Sequence, residues 1–136
     1  MTVIDKGNSK ITIFFCFKGD GARLAARSAV HGCLDYLDRA IFGLGNECRA
    51  STTQEVFVSL LRSLWEGHGC ILEVGGALST LTIAVVLPLA DSEEHGSGKY
   101  VVCACNVGDS LGYVYSKNYG VREFTQGKFI KFTSKK

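Results

Sequence analysis

Proline is nearly missing from this sequence: Pro88 stands alone against 16 glycines in 136 residues, so glycine is expected to make the turns. Long runs of one charge are missing too. The formal net charge is +2, and the basic residues are scattered except at Lys128, Lys131, Lys135 and Lys136. Such a short basic end is expected to be a solvated tail over residues 126–136, and nothing else favours nucleic acid as a partner. Six cysteines, at 16, 33, 48, 70, 103 and 105, include no Cys-x-x-Cys pair and no Cys/His cluster with zinc-ligand spacing. Residues 1–10 are polar and hold no apolar run of the signal-peptide kind. Free cysteines in a reducing interior, cytoplasmic or nuclear, are therefore expected. With 46% hydrophobic and 21% charged residues, the chain carries enough apolar material for one core and too few charges for disorder.

Residues 71–90 test whether a membrane is involved, because they are apolar apart from Glu73 and a few hydroxyls and about long enough to cross a bilayer. The pair Gly75-Gly76, the hydroxyls of Ser79, Thr80 and Thr82, and the β-branched run from Thr82 to Val86 argue instead for a glycine turn and a buried strand. No membrane is expected as a partner.

What is present alternates in period. Residues 11–17 (ITIFFCF) form a β-branched and aromatic run suited to a strand buried on both faces. After Gly21, apolar residues recur at Leu24/Ala25, Ala29, Cys33, Leu37 and Ile41, the spacing of one helical face, with Gly43 and Gly45 as stops. A second helix is predicted to begin at Thr52, where Glu55 completes a capping box; Val56, Phe57, Leu60, Leu61 and Leu64 form its stripe and Gly67 and Gly69 its end. Trp65, the single tryptophan, borders that stripe and is expected in the core. Strands follow over 81–87, 100–107, 111–115 and 121–125, with the polar segment 90–98 as a hairpin tip. Strand, two helices, then antiparallel strands make the class α+β.

Three features could carry chemistry. The junction Lys18-Gly19-Asp20-Gly21 sets glycines between a strand and a helix, where backbone amides suit anions, but the third glycine of a dinucleotide fingerprint is Leu24. An ordinary glycine turn is the preferred reading, with a small nucleotide-binding domain the least favoured one. At Asn106-Val107-Gly108-Asp109-Ser110, the acidic residue could cap turn amides or present a metal ligand at the end of a sheet. His31, His68 and His95 fall into no Ser-His-Asp or Cys-His arrangement.

Taken in order, several segments resemble the type 2C (PPM-family) metal-dependent Ser/Thr protein phosphatases. Phe14-Phe15-Cys16-Phe17-Lys18-Gly19-Asp20-Gly21 is similar to the family's F-x-V-F-D-G-H-G-G segment, and an alanine-rich helix follows it. Leu78-Ser79-Thr80-Leu81-Thr82 resembles its G-S-T-A strand start, and Phe124-Thr125 stands where its L-T follows a hairpin. The most specific likeness is Cys105-Asn106-Val107-Gly108-Asp109-Ser110 to A-N-V-G-D-S-R. The resemblance covers residues 11–125 of a single partial domain, and it implies antiparallel sheets packed with helix pairs.

It also implies two Mn²⁺ or Mg²⁺ ions, about 3.5–4 Å apart, that activate water against a phosphoserine or phosphothreonine. Gly19 and Asp109 match metal-site positions of the family, the first through its carbonyl and the second at an additional, weaker site. Departures are pointed. Lys18 stands where the family has its bridging Asp, and a charged ammonium has no lone pair for a cation. Asp20 replaces a His and Leu111 an Arg. The family's C-terminal Asp-Gly and Asp-Asn motifs and its N-terminal strand with a phosphate-binding Arg are not found in these 136 residues. The expectation is a phosphatase-like domain with impaired catalysis, a pseudophosphatase or a fragment, acting through contacts with a phosphoprotein or regulatory protein. The rival is part of an active Mn/Mg-dependent phosphatase. Unpaired strand edges, and apolar residues such as Ile83, Val85 and Val102, are expected to make the chain self-associate.

Overall fold

The computed structural model describes residues 2–6, 9–17, 21–43, 49–50, 52–76, 79–89, 99–125 and 130–133. Strands β1 (Thr2–Lys6) and β2 (Ser9–Phe17) form an N-terminal hairpin. Helices α1 (Ala22–Leu37) and α2 (Thr53–Glu73) come next. Strands β3 (Ser79–Pro88), β4 (Lys99–Val107), β5 (Tyr113–Ser116), β6 (Gly120–Glu123) and β7 (Ile130–Thr133) complete the order. The main sheet runs β1-β2-β3-β4-β7 with every neighbour antiparallel, and β5 and β6 pair as a separate two-stranded sheet. Helices and antiparallel sheets give the α+β class expected.

Alternation along β3 and β4 builds the floor of the core. Leu81, Ile83, Val85 and Leu87 are buried with Val101 and Cys103, and they meet Val30, Cys33, Leu37, Ile41, Phe42, Val56 and Leu60 of the helical layer. Ile83 and Val85 therefore lie under the helices, against the expectation that they would be exposed: both are fully buried. On α1 the spacing gives Ala22, Ala25, Ala26, Ala29, Val30, Cys33 and Leu37 as the buried face, while Leu24 is exposed. A π-helical turn at Asp38–Phe42 then adds the residue that brings adjacent Ile41 and Phe42 inward. Gly43 ends it at φ +63°.

The capping box that opens α2 is present: Glu55 N–H donates to Thr52 Oγ1 at 3.2 Å, and Thr52 N–H to Glu55 Oε2 at 3.4 Å. Its end differs from the one expected at Gly67 and Gly69. The helix runs through Gly67 and Gly69 to Glu73, because Gly67 is a contact point with α1 and not a stop. A Cβ on Gly67 would stand 2.6 Å from Cys33 Sγ and 2.9 Å from the Ala29 carbonyl oxygen. Trp65 differs as well, being 76% exposed on the outward face of α2, with Leu61 also outward. The cause is angular: Leu60 and Ser63 already fill the inward arc.

Two strands escaped sequence reading. The polar stretch 2–6 is β1, because β2 offers it an edge to pair on from Ser9 onward; it carries no arginine. Within the expected basic tail, residues 130–133 are β7, paired with Lys99–Val102 of β4 by register; the Ile-Lys-Phe-Thr alternation there has period two. Residues 71–90 contain the end of α2, the turn at Gly75 and Gly76, and β3. Among the described residues no helix is long and apolar enough to cross a membrane. Cys33, Cys70, Cys103 and Cys105 are free thiols.

Two glycines two positions apart should respond oppositely to alanine. Gly67→Ala is expected to lower the unfolding free energy by about 1–3 kcal/mol, since backbone must move to admit the methyl. Gly69 has nothing near its missing Cβ, so Gly69→Ala should raise stability by about 0.5–1 kcal/mol. Urea midpoints at fixed m-value measure both; a destabilised Gly69→Ala would mean that something packs against the helix there.

Candidate functional site at the end of the main sheet

Both flanks of β3 deliver a sequence landmark to the same end of the sheet. Strands β2 and β4 run parallel to each other, each antiparallel to β3, with Phe15 and Val107 both opposite Leu81. Phe17, the last residue of β2, pairs with Ser79 at the start of β3. The end of β2 and the turn after β4 therefore lie two strand spacings apart, roughly 10 Å. Lys18, Gly19 and Asp20 lie outside the described residues. Gly21 opens α1 at φ +79°, and its carbonyl accepts from Ala25 N–H at 3.1 Å.

The turn after β4 is built by glycine and side-chain hydroxyls and amide. Gly108 has φ +101°, and a Cβ there would stand 2.6 Å from Thr80 Cγ2. Asn106 Nδ2 donates to the Gly108 carbonyl at 3.2 Å, while Asn106 Oδ1 accepts from Thr82 Oγ1 at 2.6 Å. The Thr80 and Ser110 hydroxyls share a hydrogen bond of 2.7 Å. Thus Thr80 and Thr82, two apart on β3, clamp both ends of the Asn106–Ser110 turn. Beyond it, Gly112 N–H donates to Thr125 Oγ1 at 3.3 Å, the Gly112 carbonyl accepts from Phe124 N–H at 2.9 Å, and the Phe124 ring covers Gly112. Phe124 and Thr125 so fasten the strand that leaves the β5–β6 hairpin.

Asp109 is exposed, and its carboxylate takes no hydrogen bond or ion pair among the described residues. It does not cap the turn; Asn106 does. The structure holds its carboxylate outward at the sheet end, available to solvent. Hydroxyl, amide and one carboxylate make a thin donor set for a hard dication, which takes most of its ligands from carboxylates, carbonyls and water. Among the described residues no group of three or more His, Cys, Asp and Glu could hold a metal ion. These residues alone do not fit a two-metal centre.

Next to this turn, Cys105 is not poised for nucleophilic work. Burial first, then the neighbouring Cys33, pushes its thiol up to about 12, and burial pushes Cys33 up to about 11 despite hydrogen bonds that oppose the shift. Both stay protonated at neutral pH. His31 and His68 are exposed, the latter edge-on to Trp65 at 6.4 Å; His95 lies outside the described residues.

Because the folded thiols resist ionisation, their stabilising effect is complete below the unfolded value of 9.0 and is lost as pH rises toward the folded values. Stability should fall between about pH 9 and 12, and Cys105→Ala should flatten that fall; an equal slope in the variant counts against it. Gly108→Ala, which combines a left-handed φ with a blocked Cβ, should cost about 1–3 kcal/mol by urea denaturation. An unchanged midpoint would mean that the turn is not held against Thr80.

No family model matches the chain. Over 108 residues, 79% of its length, it is 84% identical to a PP2C-like domain-containing protein of Drosophila melanogaster, and it spans 15% of that protein's length. Set beside the fold and the clamped Asn106–Ser110 turn, this likeness supports a PP2C-like (PPM) domain, phosphatase-like in kind.

Proposed function

We propose that this chain is a divergent part of a PPM-type phosphatase-like domain that does not hydrolyse phosphoserine or phosphothreonine efficiently and works through protein contacts. Lys18 carries this reading. It occupies the position of the family's bridging aspartate, and a charged ammonium repels the dications that the aspartate would join. The one carboxylate at the turn, Asp109, cannot by itself neutralise two divalent ions. Gly19 and Asp109 are at most the remnant of a Mn²⁺ or Mg²⁺ site. Buried, protonated thiols on α1 and β4 suit a reducing compartment, cytoplasmic or nuclear. The contacts would be with a phosphoprotein or a regulatory protein.

A second reading draws on length. The Drosophila relative is several times longer than this chain, so further carboxylates in a longer protein could complete a centre. The purified chain tests the first reading, and the same assay on a longer protein that contains it tests the second. Phosphopeptide hydrolysis by the purified chain, with and without millimolar Mn²⁺, is expected to stay at the buffer rate. The Lys18→Asp variant should gain Mn²⁺ binding by calorimetry relative to the parent. Manganese-dependent turnover by the parent chain that disappears in Asp109→Ala would defeat the proposal.

A further inference from the structure

The outward face of α2 has a pattern that packing on the core does not use. Val58, Leu61, Trp65 and Leu72 are exposed by 42, 57, 76 and 65%, and exposed His68 completes a 3-4-3-4 spacing along the helix. From Val58 to Leu72, about 21 Å of axis, this is the a/d spacing of a helix that packs on another helix. The opposite face is already taken, with Val56, Leu60, Ser63 and Gly67 buried. Gly69 lies on the same outward side with nothing near its missing Cβ. Residues 65, 68, 69 and 72 thus bound a hole whose fourth corner is glycine, at a helix-interior position where glycine otherwise costs about 1 kcal/mol.

We infer that this face binds a second copy of the chain, with the two α2 helices antiparallel about a two-fold axis at Trp65. That arrangement is self-complementary in register. Leu61 of each copy comes level with Gly69 of the other and enters the glycine-cornered hole, Val58 comes level with Leu72, and the two Trp65 rings meet on the axis. Charge agrees. Arg62 and Glu66 flank one side of the seam and, though four residues apart, form no ion pair with each other; the Arg-before-Glu order is the weaker one on a helix. In the antiparallel pair each Arg62 lies about 3 Å along the axis from Glu66 of the other copy, with only Gly69 between them on that edge. A groove of about 630 Å³ at the start of α2, lined by Arg49, Gln54, Val58 and Arg62 among others, continues the seam and faces the Glu73 end of the second copy. A closed, isologous contact of this kind stops at two chains. It does not depend on whether the domain hydrolyses phosphate.

Trp65 is the only tryptophan, so its emission reports the seam directly. For the whole 136-residue chain, light scattering is expected to show a dimer that dissociates on dilution, with the emission shifting red in step. Leu61→Glu should make the chain monomeric and red-shifted at every concentration, with the parent's circular dichroism and the melting of the dilute, dissociated parent. Arg62→Glu should weaken association about tenfold or more, and Arg62→Glu combined with Glu66→Arg should restore it. Association that survives Leu61→Glu would place the contact on the strand edges and overturn the inference. So would a chain that stays monomeric throughout, or a double reversal no better than the single one. None of these outcomes touches the phosphopeptide assay, so the inference and the proposed function fail separately.

Discussion

Two helices can share one face of the main sheet only because their backbones touch. Gly32 of α1 and Gly67 of α2 are the points of contact: a Cβ on Gly32 would stand 2.9 Å from the Glu66 carbonyl oxygen, and one on Gly67 2.9 Å from that of Ala29. The approach is reciprocal, and small residues dominate it, with Ala25, Ala29, Cys33 and Ser63 along the same seam. Wider helices would straddle the alternate residues of β3 and β4 and leave part of Leu81, Ile83, Val85 and Leu87 in water. Close helices seal them. Everything at the sheet end inherits its position from this packing, since β3 carries both the buried aliphatic row and, at its start, the two threonines that clamp the Asn106–Ser110 turn.

That turn shows how a rigid frame and a weak chemical site coexist. Gly108 accepts a backbone conformation that other residues resist, and Thr80 closes on it so tightly that no side chain fits. Asn106 satisfies two partners, one on the strand and one in the turn. The frame around Asp109 is therefore held by Gly108, Thr80 and Asn106. Among the described residues the carboxylate takes no hydrogen bond or ion pair. The residues that hold the turn are not the one that offers a charge, so fold and site chemistry can vary separately.

Legibility followed the physical signal behind each element. The Thr52–Glu55 capping box names its own start because two side chains near in sequence satisfy two backbone amides, and the structure keeps both bonds. The β-branched run from Thr82 to Val86 marked β3, since that preference too is local. Gly67 misled, because a glycine that ends a helix and a glycine that lets a neighbour approach are identical in one dimension. Trp65 misled likewise: whether a residue beside an apolar stripe turns in or out depends on the few tens of degrees by which α2 leans on α1. Strands β1 and β7 are short edge strands whose pairing is supplied by β2 and β4, and polar residues suffice where a neighbour provides the hydrogen bonds.

By itself, then, the sequence determined the α+β class, the start of α2, a strand over 81–87 and the glycine turn at 108. Each rests on residues close together in the chain. Tertiary structure alone decided which face of α2 looks outward, that Gly67 joins two helices, and that β2 and β4 finish at the same end of the sheet. These depend on pairings between residues dozens of positions apart, where burial and register, rather than local preference, set the energy.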